Sequence, residues 1–152
     1  MDWIFILWSI MLIVFGIIIS ISDIKTKKIP NNIVITMIVA WLITIIPMLI
    51  IQTPKALVML QDSIFGFLMG GGFFLLVYVI SKKGLGGGDV KFMAASGLYL
   101  GFHGVIPTMF CGSLLAAGTA IVLILLKKIK RNDSIPLAPF LFTGMLLTIF
   151  FV

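Results

Sequence analysis

The sequence predicts an all-α, polytopic membrane protein of six transmembrane helices with short loops, one domain covering residues 1–152. Three observations predict it. Of the 152 residues, 61% are hydrophobic and 11% charged, whereas a soluble domain is nearer half apolar and a quarter charged. The apolar residues gather into runs close to the roughly 20 residues that a bilayer-spanning helix needs. Six such runs use about 120 residues and leave no room for a separate soluble domain. The basic residues, finally, sort to one side of those runs.

The runs place spans at residues 3–22, 33–51, 63–80, 88–102, 105–126 and 136–152. The first, from Trp3 to Ser22, has no Lys or Arg before it and no small-residue cleavage site. It is also longer than a signal-peptide core, so a retained helix is expected. Ile29-Pro30-Asn31-Asn32 breaks the chain before the second span, with asparagines available to cap it. Pro47 is expected to kink that span. Gly66 with Gly70, and Gly97 with Gly101, give the small-xxx-small spacing of closely packed helices. Cys111 is the only cysteine, which excludes an intrachain disulfide and a multi-Cys metal site. Inside an apolar run it reads as an inert packing thiol. Pro136 and Pro139 fall in the first turn or so of the last span, where a missing N–H costs least.

The formal net charge is +6, but its distribution argues against a nucleic-acid partner. Lys25, Lys27 and Lys28 lie in the first loop. Lys82, Lys83 and Lys91 lie around the third, and Lys127, Lys128, Lys130 and Arg131 in the fifth. Only Lys55 falls in the second loop, and the fourth has His103 alone. The positive-inside rule makes the lysine-rich face cytoplasmic. Most of these lysines are expected to set topology and nothing more.

The fourth span is short. Val90 to Phe102 makes only about 20 Å of helix, against a hydrocarbon core about 30 Å thick. The glycine-rich segment before it is therefore expected at membrane depth. Irregular backbone is tolerated there only when buried in protein or lining a wet cavity. We expect a water-accessible cavity on the cytoplasmic side, with Asp89 at its wall and Lys91 snorkelling from the same turn.

All five acidic residues are aspartates. Asp23 closes the first span and Asp89 opens the fourth, both on the cytoplasmic side. An ionisable group at the edge of hydrocarbon is a functional candidate by default. Other chemistries fall away. There is no HExxH motif and no phosphate-binding loop, since the glycine run is followed by Asp rather than Lys-Ser or Lys-Thr. His103, the only histidine, is about two turns from Ser96, too far for a direct hydrogen bond. Carboxylate chemistry remains. Two close carboxylates do not both ionise easily. One can draw a proton from water while its protonated partner polarises a carbonyl. The pair titrates as a unit, so neither Asp takes a fixed role. The glycines before Asp89 let backbone pass close to an extended substrate and permit conformations that other residues resist. The bland alternatives are a boundary residue balancing Lys25 for Asp23, and a helix N-cap for Asp89. Asp133 reads as a solvated residue among basic neighbours, and Asp2 and Asp62 as lying on the wrong face.

At these segments the chain resembles the type IV prepilin peptidases, the GxGD-type intramembrane aspartic proteases that include archaeal preflagellin peptidases. The matching residues are Asp23 with Lys28-Ile29-Pro30-Asn31, and Gly86-Gly87-Gly88-Asp89-Val90-Lys91. Ile135-Pro136-Leu137-Ala138-Pro139-Phe140 is similar to the family's Pro-x-Gly-Pro segment, with Ala138 in place of the glycine. The resemblance implies removal of the leader from prepilins, pseudopilins or archaellins at the cytoplasmic membrane of a prokaryote, with no cofactor or metal. It makes Asp23 and Asp89 the catalytic pair. Gly86, Gly87, Gly88, Lys91, Pro30 and Asn31 become the supporting loops, and Pro136 and Pro139 the last-span motif. With one cysteine and a first span that begins almost at once, a peptidase without methyltransferase activity is expected, like the short form of Tad/Flp-type pilus systems. The partners implied are prepilin-like substrates and the lipid bilayer, and a homo-oligomer is allowed. The competing readings are a small ion- or proton-coupled transporter binding through Asp23 and Asp89, and a catalytically silent assembly factor. Neither accounts for both the two aspartates and the Ile-Pro-Asn and Gly-Gly-Gly-Asp segments.

Overall fold

The computed structural model describes residues 3–51, 53–81, 84–128 and 135–151. Their secondary structure is five helices: α1 (Trp3–Thr26), α2 (Asn31–Ile51), α3 (Thr53–Ile80), α4 (Gly87–Leu125) and α5 (Ala138–Phe151). The all-α, membrane-type architecture is as expected. Four of the helices are long and apolar enough to cross a membrane, while α5, of 14 residues, is shorter. Asp2, Lys82, Lys83, Lys130, Arg131 and Asp133 lie outside the described residues.

The fourth and fifth expected spans are the two limbs of α4, which meet at a non-helical residue, Gly101. A straight helix of its 39 residues would run about 58 Å. It does not run straight. Gly70 of α3 faces both Met93 and Val105, which a straight helix would hold about 18 Å apart. Asp89 and Ala120 line one cavity, yet a straight helix would separate them by roughly 45 Å. The chain doubles back at Gly101, whose φ of 67° and ψ of −177° belong to a region essentially reserved for glycine. The Asp62 carboxylate lies where a Cβ at Gly101 would stand. Its Oδ1 accepts the Phe102 backbone N–H at 3.1 Å, so it caps the returning limb. The expected loop at residues 103 and 104 is helical instead, and the turn sits a few residues earlier. Asp62 is thus a structural acid at the end of the bundle opposite Asp89.

Two further boundaries move outward. α1 continues a turn past Ser22 because Thr26 Oγ1 donates to the Ser22 carbonyl at 2.9 Å and Lys27 N to the Asp23 carbonyl at 2.8 Å. Lys27 then takes a left-handed φ of 51°, a common way to end a helix. α3 begins at Thr53 rather than at residue 63, so Lys55 is helical. Pro54 in its first turn removes only a donor that would have no intrahelical partner.

The first limb of α4 is the core of the bundle. Residues 92–99 are buried without a break, as expected of a helix packed on every side. All four other helices touch α4. α1 presents Ile4, Trp8, Leu12, Gly16, Ile19 and Asp23, and α2 presents Val34, Met37, Trp41, Ile45 and Met48, each a stripe at helical spacing. Trp8 Nε1 donates to Thr44 Oγ1 at 2.9 Å, and Tyr99 Oη to the Met37 carbonyl at 2.6 Å. The two small-xxx-small pairs meet each other: Gly66 lies against the Gly97 and Gly101 backbones. The opposite helix faces are apolar and exposed, with Ile50 77% and Leu125 75% accessible, as lipid-facing surface is. Ser96 Oγ donates to the Phe92 carbonyl at 2.8 Å and His103 is exposed, so the two form no dyad.

Candidate active site

Asp23 and Asp89 come from helices more than sixty residues apart in sequence and line the same two adjoining cavities. Both are buried, Asp23 at 6% and Asp89 at 9% exposure. The larger cavity, of about 430 Å³, is walled by Asp23, Lys27, Asp89, Leu85, Ile135 and Leu137, and by Ala116, Ala117 and Ala120 of the returning limb. That volume falls in the range of small-molecule and peptide-sized sites. The smaller, of about 280 Å³, has Lys27, Lys28, Ile29, Asn31 and Lys91 around the same two aspartates.

Asp23 sits in the added last turn of α1, which turns it inward on the stripe of Ile19 and Ser20. Its Oδ2 accepts the Ala138 backbone N–H at 3.0 Å. That N–H is the first of α5 and has no partner within its own helix, so a carboxylate there satisfies an orphan donor and meets the positive end of the helix dipole. The Pro136–Pro139 segment thereby acquires a physical role. It starts a helix at Ala138, and Pro136 itself lines the larger cavity. Pro136 lies just before the helix rather than in its first turn, and Pro139 lines neither cavity.

Asp89 is the third residue of α4. The N-cap is Gly86, so the N-cap reading of Asp89 does not hold. Its Oδ1 is buried with no hydrogen-bond partner among the described residues. Buried polar atoms are rarely left so outside working sites. Of the glycines before it, Gly88 is demanded by space, and a side chain at Gly86 would displace the Asp89 carboxylate. A Cβ at Gly86 would stand 2.8 Å from Asp89 Oδ2, and one at Gly88 2.9 Å from Ile29 Cβ. Gly87 has room, its nearest neighbour being Tyr78 at 4.0 Å. None of the three has a positive φ, so they serve close approach rather than unusual backbone. The Gly88–Ile29 contact is what presses the segment after Asp23 onto the first turn of α4. Lys91 Nζ adds a second tie by donating to Asn31 Oδ1 at 2.9 Å. Pro30 is exposed and lines neither cavity; its carbonyl accepts the Ile33 N–H at 3.2 Å and starts α2.

Reading the sequence misses three contributors: the Ala138 N–H, the alanine wall and Lys27. A backbone donor and small apolar side chains carry no motif of their own. The one available signal is the proline-bracketed segment around Ala138.

A polytopic α-helical membrane protein with two buried carboxylates on a shared cavity is the class defined so far. Within it, the chain belongs to the type IV leader peptidase family, whose model matches residues 10–121, both aspartate segments included. Its relatives include the prepilin leader peptidase/N-methyltransferase of Escherichia coli K12, 29% identical over 89% of this chain and 59% of that protein. The Bacillus subtilis protein of the same name is 30% identical over 86% of this chain and 50% of its own length. The leader peptidase HopD of Escherichia coli is 33% identical over 54% of this chain and 57% of that one. The chain thus spans about half to three-fifths of the length of these relatives. No solved structure matches it.

Proposed function

We propose that this chain is an aspartic endopeptidase that removes the leader from prepilin-like precursors at the cytoplasmic face of a prokaryotic membrane, with residues 1–152 as its peptidase domain. The carrying observation is that Asp23 and Asp89, both buried, converge on one cavity. Membership of the leader peptidase family supports the substrate class. The lysines around the dyad, Lys27, Lys28 and Lys91, support a cytoplasmic orientation. The methyl transfer in some relatives' names stays with those proteins.

In this reading one carboxylate takes a proton from a water held between the pair, and the partner carboxylic acid hydrogen-bonds the scissile carbonyl. The water oxygen bonds to the carbonyl carbon. The C–N bond then breaks, the leaving amine takes up a proton, and the pair returns to sharing one. Charge develops in a setting that desolvates it, where oriented donors count for more than in water.

The test is direct. Purified chain in liposomes, given a prepilin-type precursor, is expected to shorten it at one bond, as mass spectrometry reads. Proton or ion flux across the same liposomes with an intact precursor would overturn the reading in favour of transport.

The Lys91–Asn31 tie makes its own prediction. Lys91→Met is expected to slow cleavage roughly five-fold, the equivalent of about 1 kcal/mol for one hydrogen bond. Asn31→Leu should do the same, and the double variant should be no slower than either. Effects that add would show that the two residues act separately.

A further inference from the structure

We propose that the Ala116, Ala117 and Ala120 face of α4 is the wall against which the apolar segment of the substrate peptide lies, and that these alanines limit the bulk of side chains accepted there. The inference rests on the peptidase reading and says which side of the dyad each half of the substrate occupies.

The two cavities share Asp23, Lys27, Gly86 and Asp89 but differ in everything beyond them. One continues into Lys28, Asn31 and Lys91, with Ile29 and the glycine run beside them. The other continues into Leu85, Ile135, Leu137 and the three alanines. A peptide cut at the dyad has one half in each. A polar half is matched by the lysine side, and an apolar half by the alanine side. Burying apolar surface against the alanine wall is favourable, while the lysine side would have to be desolvated to take it.

The returning limb of α4 also has the right surroundings. From residue 113 to residue 125 no position is fully buried, unlike the unbroken burial of residues 92–99 in the first limb. Its outer side carries Leu114, Ile121 and Leu125, at 62%, 59% and 75% exposure. The alanine wall is therefore continuous with a lipid-facing surface, and a membrane-embedded peptide reaches it without passing through water.

Ala117→Phe and Ala120→Phe fill the cavity while leaving both aspartates and their hydrogen bonds in place. Each is expected to lower cleavage of a precursor with bulky apolar residues beside the cut by roughly tenfold or more. The loss should appear mainly in KM. A precursor with alanines at those positions should recover most of the rate, which a merely misfolded variant would not allow. Ala120→Leu is the milder version, for use if the phenylalanine variants do not accumulate. Gly118 lines neither cavity and a Cβ there would meet nothing within 4 Å, so Gly118→Leu should cleave like the parent. A photo-crosslinker at Ala120 in the Asp89→Asn background should capture the apolar half of the precursor. The inference is overturned if the parent cleaves and the wall variants match it on both precursors, or if the crosslink maps to the polar half. A parent that cleaves no precursor at all sinks the peptidase reading instead, and the wall with it.

Discussion

Asp23→Asn and Asp89→Asn should each abolish leader removal while leaving the protein folded. Loss of one positioned acid or base costs roughly 10² to 10⁴ in rate, and two groups that share one proton act as a unit. The double variant should therefore be no slower than either single one. The structure separates this loss from unfolding. The side-chain amide that Asp23→Asn introduces keeps an oxygen able to accept the Ala138 N–H, which Asp23 accepts at 3.0 Å. Asp89→Asn removes a carboxylate whose Oδ1 has no partner among the described residues, so its thermal midpoint should be at least that of the parent, as is common when a strained functional group is neutralised. Precursor cleavage and a detergent melt on the same samples check both halves. A variant that cleaves at the parental rate would remove its aspartate from the mechanism. One that loses activity and melts early would make that aspartate structural.

Asp23 and Asp89 are legible in the sequence because hydropathy alone makes a carboxylate at the hydrocarbon edge conspicuous. The glycine run is legible for a similar reason, since a short fourth span requires something at membrane depth to complete it. What the residues conceal is the reason for each glycine. Gly88 is fixed by Ile29, Gly86 by the Asp89 carboxylate that a side chain there would displace, and Gly87 by nothing close, distinctions that only tertiary contacts make. The Ala138 N–H reaches Asp23 across 115 positions, and a backbone donor leaves no trace in composition. Helix ends depart from the hydropathy boundaries where local hydrogen bonds outweigh it: Thr26 and Lys27 lengthen α1 by a turn, and this added turn holds Asp23. Gly97 is the close-packing residue that its spacing suggests. Gly101 packs as well, but has a second task that spacing does not reveal.

That second task predicts a loss of stability as large as any single substitution here should cause. Gly101→Ala has to place a Cβ on a residue at φ 67° and ψ −177°, a conformation costing about 1–3 kcal/mol for a non-glycine residue. The same Cβ meets the Asp62 carboxylate, and pushing it aside breaks the hydrogen bond from Phe102 N–H to Asp62 Oδ1. The Gly101 carbonyl cannot retreat the other way, because Gly66 packs against it. Overpacking adds roughly 1–3 kcal/mol, so the total should be several kcal/mol, seen as a steep fall in melting temperature and folded yield in detergent. Asp62→Ala alone should cost about 1 kcal/mol for the lost cap. In the Gly101→Ala background it should cost less or even restore stability, because it vacates the space the new methyl needs. That coupling distinguishes a turn from a bend. If Gly101→Ala melts like the parent, α4 does not fold back at Gly101. The returning limb would then not face Asp89, and the cavity between Asp89 and Ala120 would not close.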